Sequence, residues 1–209
     1  MIETLQKLVP EIFASINRGD EWDSLIVNRR KPWTYRVFRK FGDLRVCLHA
    51  FDPCSTEESF AHPHPWPGAF LMLKGSYIHN VGFSQDLQSE PVFHFREIVR
   101  PYSMYEIVDR RTWHTVQPLE RTYTIMVNGE PWENAHANVR TTKGKDLDKM
   151  QPDELREHLN EFLVLLNNYM MTRPEYMIET DGTGGMFTPG GQFISNQRSW
   201  CLTPSADHS

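Results

Sequence analysis

The chain has 209 residues and a formal net charge of −5, from 22 Lys and Arg and 27 Asp and Glu. This length suits a single all-β domain, and the negative charge without a basic block disfavours nucleic-acid binding. No apolar stretch approaches the roughly 18 residues that a membrane span needs. The first residues lack the basic and apolar regions of a signal peptide. Cys47, Cys54 and Cys201 have no CxxC spacing, so no disulfide framework is expected. We therefore expect a cytoplasmic protein that binds neither nucleic acid nor membranes, and a homodimer is compatible with the sequence.

The first predicted element is an amphipathic helix over about residues 2–18, and Gly19 is its expected stop. From about residue 33 to 130 the apolar period changes to two. Residues 44–51 alternate in polarity, as a strand with one buried face does. Short strands separated by turn residues predict a mainly β fold, a jelly-roll sandwich or barrel. Further strands are predicted over residues 69–74, 76–83, 91–99, 103–108, 113–117 and 122–128.

A second helix is predicted over about residues 152–171, because Pro152 suits a first helical position and acidic residues follow it. We expect this helix to pack on the outside of the sheet and to contribute no metal ligand, with His158 pointing away from its apolar stripe. That stripe consists of Leu155, Leu159, Phe162, Leu163, Leu166 and Met170. Residues 181–209 form a glycine-rich tail that lacks a phosphate-loop signature. All of these parts are assigned to one domain, residues 1–209.

Three histidines form the most informative pattern in the chain. His62 and His64 are two residues apart in an extended segment, so their imidazoles can face the same point. His114 lies in a separate strand-like run and can supply a third imidazole. Three neutral imidazoles suit iron, zinc, copper or nickel, and they leave coordination positions open for water or substrate. The alternative for each of these histidines is an ordinary hydrogen-bonded role. His79 and His94 are further candidates, either as alternative ligands or as residues that support a ligand.

These histidines resemble the two motifs of the cupin superfamily. In the first motif, His62, His64 and Gly75 match, and Gly68 stands where the family has a ligating glutamate. His114 matches the histidine of the second motif, whose glycine and asparagine are absent here. Without the glutamate, the chain resembles the three-histidine branch, the thiol dioxygenases, in its histidine spacing. The resemblance implies a cupin-type jelly roll with flanking helices and a mononuclear metal held by the three histidines.

The thiol dioxygenase resemblance also implies a substrate-binding arginine on an early strand. Arg36 stands at a comparable distance before the first histidine, and Arg45 is the second candidate. Arginine suits this role because its planar fork binds a carboxylate through two hydrogen bonds. Tyr77 and Tyr123 are candidates to donate hydrogen bonds to bound oxygen or substrate. Glu106 could orient a histidine, although a surface position is the simpler interpretation.

Two functions are compatible with these residues. The first is a metal-dependent dioxygenase that takes dioxygen and a small thiol or carboxylate, with iron(II) as the expected metal and zinc, nickel or manganese as alternatives. The second is a cupin that binds or senses a small molecule without catalysis, favoured by the missing glutamate. An iron/2-oxoglutarate enzyme is disfavoured, because His64 occupies the carboxylate position of the usual His-x-Asp/Glu triad.

Overall fold

The computed structural model describes residues 1–85, 90–133, 147–176, 186–187 and 193–194. Contacts divide the chain into two compact units, Met1–Tyr169 and Met170–Ser209, and the single domain expected over the whole chain stays a prediction. Most of the glycine-rich tail lies outside the described residues. Within them, strands β11 (Met186–Phe187) and β12 (Phe193–Ile194) form an antiparallel pair.

Helices stand at both ends of the first unit. Helix α1 covers Ile2–Asn17 and helix α2 covers Pro152–Met171, close to the predicted bounds, and a 3-10 turn follows at Pro174–Tyr176. No helix among the described residues has the length and apolar character needed to cross a bilayer.

The described part of the first unit contains two antiparallel sheets. Their strands are β1 (Asp23–Val27), β2 (Thr34–Phe41), β3 (Leu44–Phe51), β4 (His62–Pro63), β5 (Gly68–Lys74), β6 (Tyr77–Phe83), β7 (Phe93–Val99), β8 (Met104–Ile107), β9 (Thr112–Pro118) and β10 (Thr122–Asn128). The larger sheet has the order β1-β2-β3-β10-β5-β8, and the smaller has the order β4-β9-β6-β7. The eight strands from β3 to β10 thus divide between the sheets in jelly-roll order. The predicted mainly β jelly roll with flanking helices is confirmed.

Strand β3 is buried on both faces, which corrects the prediction of one buried face. Val46 and Leu48 are fully buried, and so are Cys47 and His49 on the opposite face. The face that carries Cys47 and His49 points between the two sheets. Helices cover the face that carries Val46 and Leu48. Helix α1 packs against β5, β8 and β10, while α2 contacts side chains of β2 and β10. Periodicity within one strand carries no information about such distant covering elements.

Helix α2 packs on the outer face of the larger sheet as predicted, with the ring of Phe162 5.6 Å from that of Tyr123. The predicted orientation of His158 is wrong, because this side chain is buried. Its Nε2 lies 3.3 Å from the guanidinium of Arg121, and its ring lies 5.4 Å from that of Tyr35. The sheet therefore offers polar and aromatic partners that make burial of the imidazole favourable. The residues that α2 buries are His158, Phe162, Leu166 and Tyr169.

Gly75, which matches the cupin motif, is required by the backbone between β5 and β6. Its φ is +80°, a conformation that favours glycine. A Cβ at this position would lie 2.6 Å from the hydroxyl oxygen of Thr122 and 2.8 Å from the carbonyl oxygen of Arg121. The turn after β5 therefore approaches the start of β10 more closely than a side chain at position 75 allows.

Candidate metal centre

The fold brings the three predicted ligands together. Strands β4 and β9 pair so that His62 lies directly opposite His114, and His64 follows two residues after His62. The Nε2 atom of His114 lies 3.1 Å from Nε2 of His62 and 2.8 Å from Nε2 of His64. One nitrogen from each residue lies within 4.8 Å of the others, which makes this cluster a candidate metal site.

The geometry and protonation of the cluster fit a metal ion. Two nitrogens that each lie about 2.1 Å from one ion, at a right angle, are about 3 Å apart. The two short separations around His114 match that value. Burial lowers the pKa of His62 to about 4. Burial, followed by the neighbouring histidines, also lowers the pKa values of His64 and His114. All three are therefore neutral near pH 7, which is the form that binds metals.

A cavity of about 110 Å³ adjoins the cluster between the two sheets. Its polar lining also includes Arg36, His49 and Tyr105, and no aspartate or glutamate is among the described residues that line it. The described lining residues are Val27, Pro32, Thr34, Arg36, His49, Phe51, Phe60, His62, His64, Phe70, Tyr77, Tyr105, His114, Val116, Thr124 and Met126. The histidines thus face a small, largely apolar space.

The position of the missing glutamate has little room for a side chain. Gly68 is buried at the start of β5, opposite Asn128 of β10. A Cβ at Gly68 would lie 3.1 Å from Oδ1 of Asn128, so even a methyl group requires the amide to move. The cluster is therefore a three-histidine set without a carboxylate from this position.

Arg36 reaches the same cavity from strand β2. Its Nε donates a hydrogen bond to Nε2 of His49 at 2.8 Å. Burial lowers the pKa of Arg36, and no carboxylate among the described residues forms an ion pair with it. Arg36 is half-buried, and a cation partly removed from water without an opposite charge favours the binding of an anionic ligand. The role of His49 was not foreseen, because its partner lies on another strand.

Of the other predicted site residues, Tyr77 lies at the cavity and Arg45 and Tyr123 do not. The hydroxyl of Tyr77 donates a hydrogen bond to that of Tyr105 at 2.7 Å. Arg45 lies four residues before His49 on β3, about 13 Å along the strand, and its guanidinium stacks on Phe38 at 4.2 Å. Tyr123 points to the opposite face of the sheet from the cavity.

The outward position of Tyr123 follows from strand alternation. Its neighbour Thr124 lines the cavity, and adjacent residues of a strand point to opposite faces. The Tyr123 hydroxyl donates instead to the carboxylate of Glu161 in helix α2, at 3.1 Å.

The candidate ligand His114 has its own buried partner. Its Nδ1 lies 2.9 Å from Nε2 of His79, whose Nδ1 lies 3.2 Å from the carboxylate of Glu97. The sequence suggested His79 as a supporting residue but did not indicate Glu97. The pairing of β6 with β7 sets His79 opposite Glu97, and knowledge of that register would have identified this carboxylate. Glu106 instead pairs with the amino group of Met1 at 2.9 Å, so it does not orient a histidine.

No protein-family model matches the chain, and no curated protein is similar to it at a significant level. Among solved structures, the chain is similar to hydroxypropylphosphonic acid epoxidase from S. wedmorenis, with 11% identity and a TM-score of 0.41. That match covers 52% of this chain and 55% of the epoxidase, so it spans about half of that protein's length. A further structure of the epoxidase is described as its iron(II) form.

Two other solved structures resemble parts of the chain. KdgF from Halomonas sp. is 14% identical, with a TM-score of 0.38, and the match covers 56% of this chain and 93% of KdgF. BH2720 from Bacillus halodurans is 24% identical, with a TM-score of 0.38, over 50% of this chain and 74% of BH2720. The assignment of the fold rests on the strand order, and these likenesses carry nothing about activity.

Proposed function

We propose that the chain is a mononuclear non-haem metal-dependent dioxygenase, with a small substrate that carries a carboxylate and a thiol. One observation carries the proposal. Arg36, half-buried and without an acidic partner among the described residues, shares a cavity with three histidines whose Nε2 atoms converge. An anion bound to Arg36 would lie beside the metal ligands, where a second group of the same molecule could react.

The residues of the chain would divide the work as follows. His62, His64 and His114 would hold iron(II), which when bound supplies the redox chemistry for the reaction with dioxygen. Arg36 would bind the substrate carboxylate through its two terminal nitrogens, because its Nε is already engaged by His49. His49 thereby turns the guanidinium fork toward the cavity.

The tyrosine pair at the cavity supplies a further hydrogen-bond donor. Tyr77 donates to Tyr105, so the proton of the Tyr105 hydroxyl is the one left to meet substrate or dioxygen. Tyr105 was not among the residues expected from the sequence. The remainder of the lining is largely apolar, and the size of the cavity limits the substrate to a small molecule.

The proposed reaction balances without an external reductant. A thiolate gains both atoms of dioxygen to form a sulfinate, so the sulfur is oxidised and the oxygen is reduced within one product. The substrate thiol loses its proton to solvent or to a base before the sulfur reacts.

Oxygen consumption by the iron(II)-reconstituted protein tests this function. The panel contains thiols with a carboxylate (cysteine and 3-mercaptopropionate), a thiol without one (cysteamine) and carboxylates without a thiol. We expect oxygen uptake with the first class and a sulfinate product that carries both atoms of labelled dioxygen. A protein that binds iron but consumes no oxygen with any member of the panel contradicts the proposal.

A binding or sensing role without catalysis is the second candidate. The absence of a carboxylate ligand from the position of Gly68 favours it, because the motif there departs from that of carboxylate-ligated cupins. Saturable binding of a small carboxylate, which is lost in Arg36→Met and accompanied by no oxygen consumption, would support this role over catalysis.

A further inference from the structure

A continuous line of hydrogen-bonding groups leads from the protein surface to the candidate metal centre. Glu97 is 60% exposed on β7, while His79 on β6 is only 2% exposed. The carboxylate of Glu97 lies 3.2 Å from Nδ1 of His79, and Nε2 of His79 lies 2.9 Å from Nδ1 of His114. The line ends at Nε2 of His114, which faces the other two candidate ligands.

The chemistry of these groups allows one direction of donation along the line. An ionised carboxylate only accepts hydrogen bonds, so Nδ1 of His79 must carry the proton that Glu97 accepts. A neutral imidazole carries one N–H, which leaves Nε2 of His79 as an acceptor. That acceptor requires a proton on Nδ1 of His114. The remaining nitrogen of His114, Nε2, then presents its lone pair to the metal centre.

We infer that Glu97 and His79 are positioning residues that fix the tautomer and ring orientation of His114 for metal binding. This role rests on the proposed metal site, and it explains why Nε2 of His114 presents its lone pair to the metal. Partners of this kind hold ligating histidines in many metal sites, and their loss costs about 10–100-fold in metal affinity.

The packing around His79 favours this role over a merely structural one. The ring of Tyr105 lies 4.4 Å from that of His79, and the ring of Tyr77 lies 6.0 Å away. These rings restrict the plane of the imidazole but form no hydrogen bond with its nitrogens that would select a tautomer. Among the described contacts, that selection falls to the carboxylate of Glu97.

Loss of the Glu97 carboxylate should therefore change metal binding at His114, which Glu97 does not contact. Without Glu97, His79 is free to carry its proton on Nε2 and to donate it to Nδ1 of His114. His114 would then hold its own proton on Nε2, the nitrogen that the metal needs. An exposed side chain that touches no candidate ligand would thus change metal affinity.

The experiment combines two readouts on the full chain. Long-range proton–nitrogen NMR of the metal-free protein reports which ring nitrogen of His79 and His114 carries the proton. Titration with Co²⁺ alone, followed by its visible absorption, measures metal affinity. The variants are Glu97→Ala, Glu97→Gln and His79→Phe, with His94→Phe as the control for loss of an exposed histidine on β7.

In the wild-type protein we expect the proton of each of these two histidines on Nδ1. Glu97→Ala should shift this population and weaken Co²⁺ binding about tenfold, and His79→Phe should weaken it within about 10–100-fold. Glu97→Gln keeps a carbonyl that accepts from Nδ1, so it should retain most of the affinity. His94→Phe should bind Co²⁺ as the wild type does.

Two results would overturn the inference: a wild-type His114 protonated on Nε2, or Glu97→Ala with unchanged tautomers and unchanged Co²⁺ affinity. Both are distinct from failure of the proposed activity. A protein that shows the expected tautomers and metal affinities but consumes no oxygen would leave this inference standing and reject the dioxygenase. A wild-type chain that binds no Co²⁺ would reject the metal site and the inference together.

Discussion

Replacing Arg36 by methionine should weaken binding of an anionic substrate about 100-fold. Methionine keeps an unbranched stem in the cavity and removes the guanidinium. A hydrogen bond to a charged group contributes about 1.5–3 kcal/mol, so two such bonds to a carboxylate contribute at least about 3 kcal/mol. At 1.4 kcal/mol for each factor of ten, this loss corresponds to about 100-fold in Kd or KM.

The same substitution should lower the free energy of unfolding by less than the loss of one partner of a buried salt bridge does. Burial lowers the pKa of Arg36, which means that the fold disfavours its charge. Removing the charge relieves that cost, while the loss of the donor to His49 costs about 1–3 kcal/mol. Because these effects oppose each other, we expect the free energy of unfolding to change by less than about 3 kcal/mol.

Isothermal titration with the thiol carboxylates, together with KM from oxygen consumption, measures the effect. Arg45→Met is the matched control, because it removes the same group from the same sheet at a position that stacks on Phe38 outside the cavity. Metal content should stay unchanged in both variants. Wild-type affinity in Arg36→Met, or an equal loss in Arg45→Met, would refute the assignment of Arg36 as the anion-binding residue.

Three further predictions concern the scaffold. Leu166→Ala should lower the free energy of unfolding by about 2–5 kcal/mol, since Leu166 is fully buried; Val164→Ala on the exposed side of the same helix should stay within about 0.5 kcal/mol. His158→Ala should cost about 1–3 kcal/mol by leaving Arg121 without this partner, and loss of metal from this variant would contradict the described centre. Gly75→Ala should lower Tm, because a Cβ there would lie 2.6 Å from its nearest neighbour at a φ of +80°; an unchanged Tm would show that the turn adapts. Urea unfolding and thermal melts measure these effects.

Local patterns in the sequence predicted the elements of the fold but not what covers them. The alternation over residues 44–51 correctly indicated strand β3, yet both of its faces are buried, because one points between the two sheets and helices cover the outer face of the larger sheet. His158 shows the same limit. Its burial depends on Tyr35 and Arg121, which lie more than thirty residues away in the chain.

The candidate site was predictable where it depends on spacing and residue chemistry. The i, i+2 relation of His62 and His64 identified the first two candidate ligands, and a histidine in another strand supplied the third candidate. The register that sets His62 against His114 is a property of the folded sheet. Neither spacing nor composition indicates His49 and Glu97. Strand pairing sets His49 opposite Arg36 and Glu97 opposite His79.

Metal content tests directly whether His62, His64 and His114 hold one metal ion. The protein is purified without chelator, and elemental analysis compares the wild type with the double variant His64→Ala/His114→Ala. A second double variant, His94→Ala/His158→Ala, controls for the loss of two histidines outside the cluster. We expect close to one transition-metal ion per chain in the wild type and the control, and almost none in His64→Ala/His114→Ala. Metal retained in full by His64→Ala/His114→Ala would contradict this assignment.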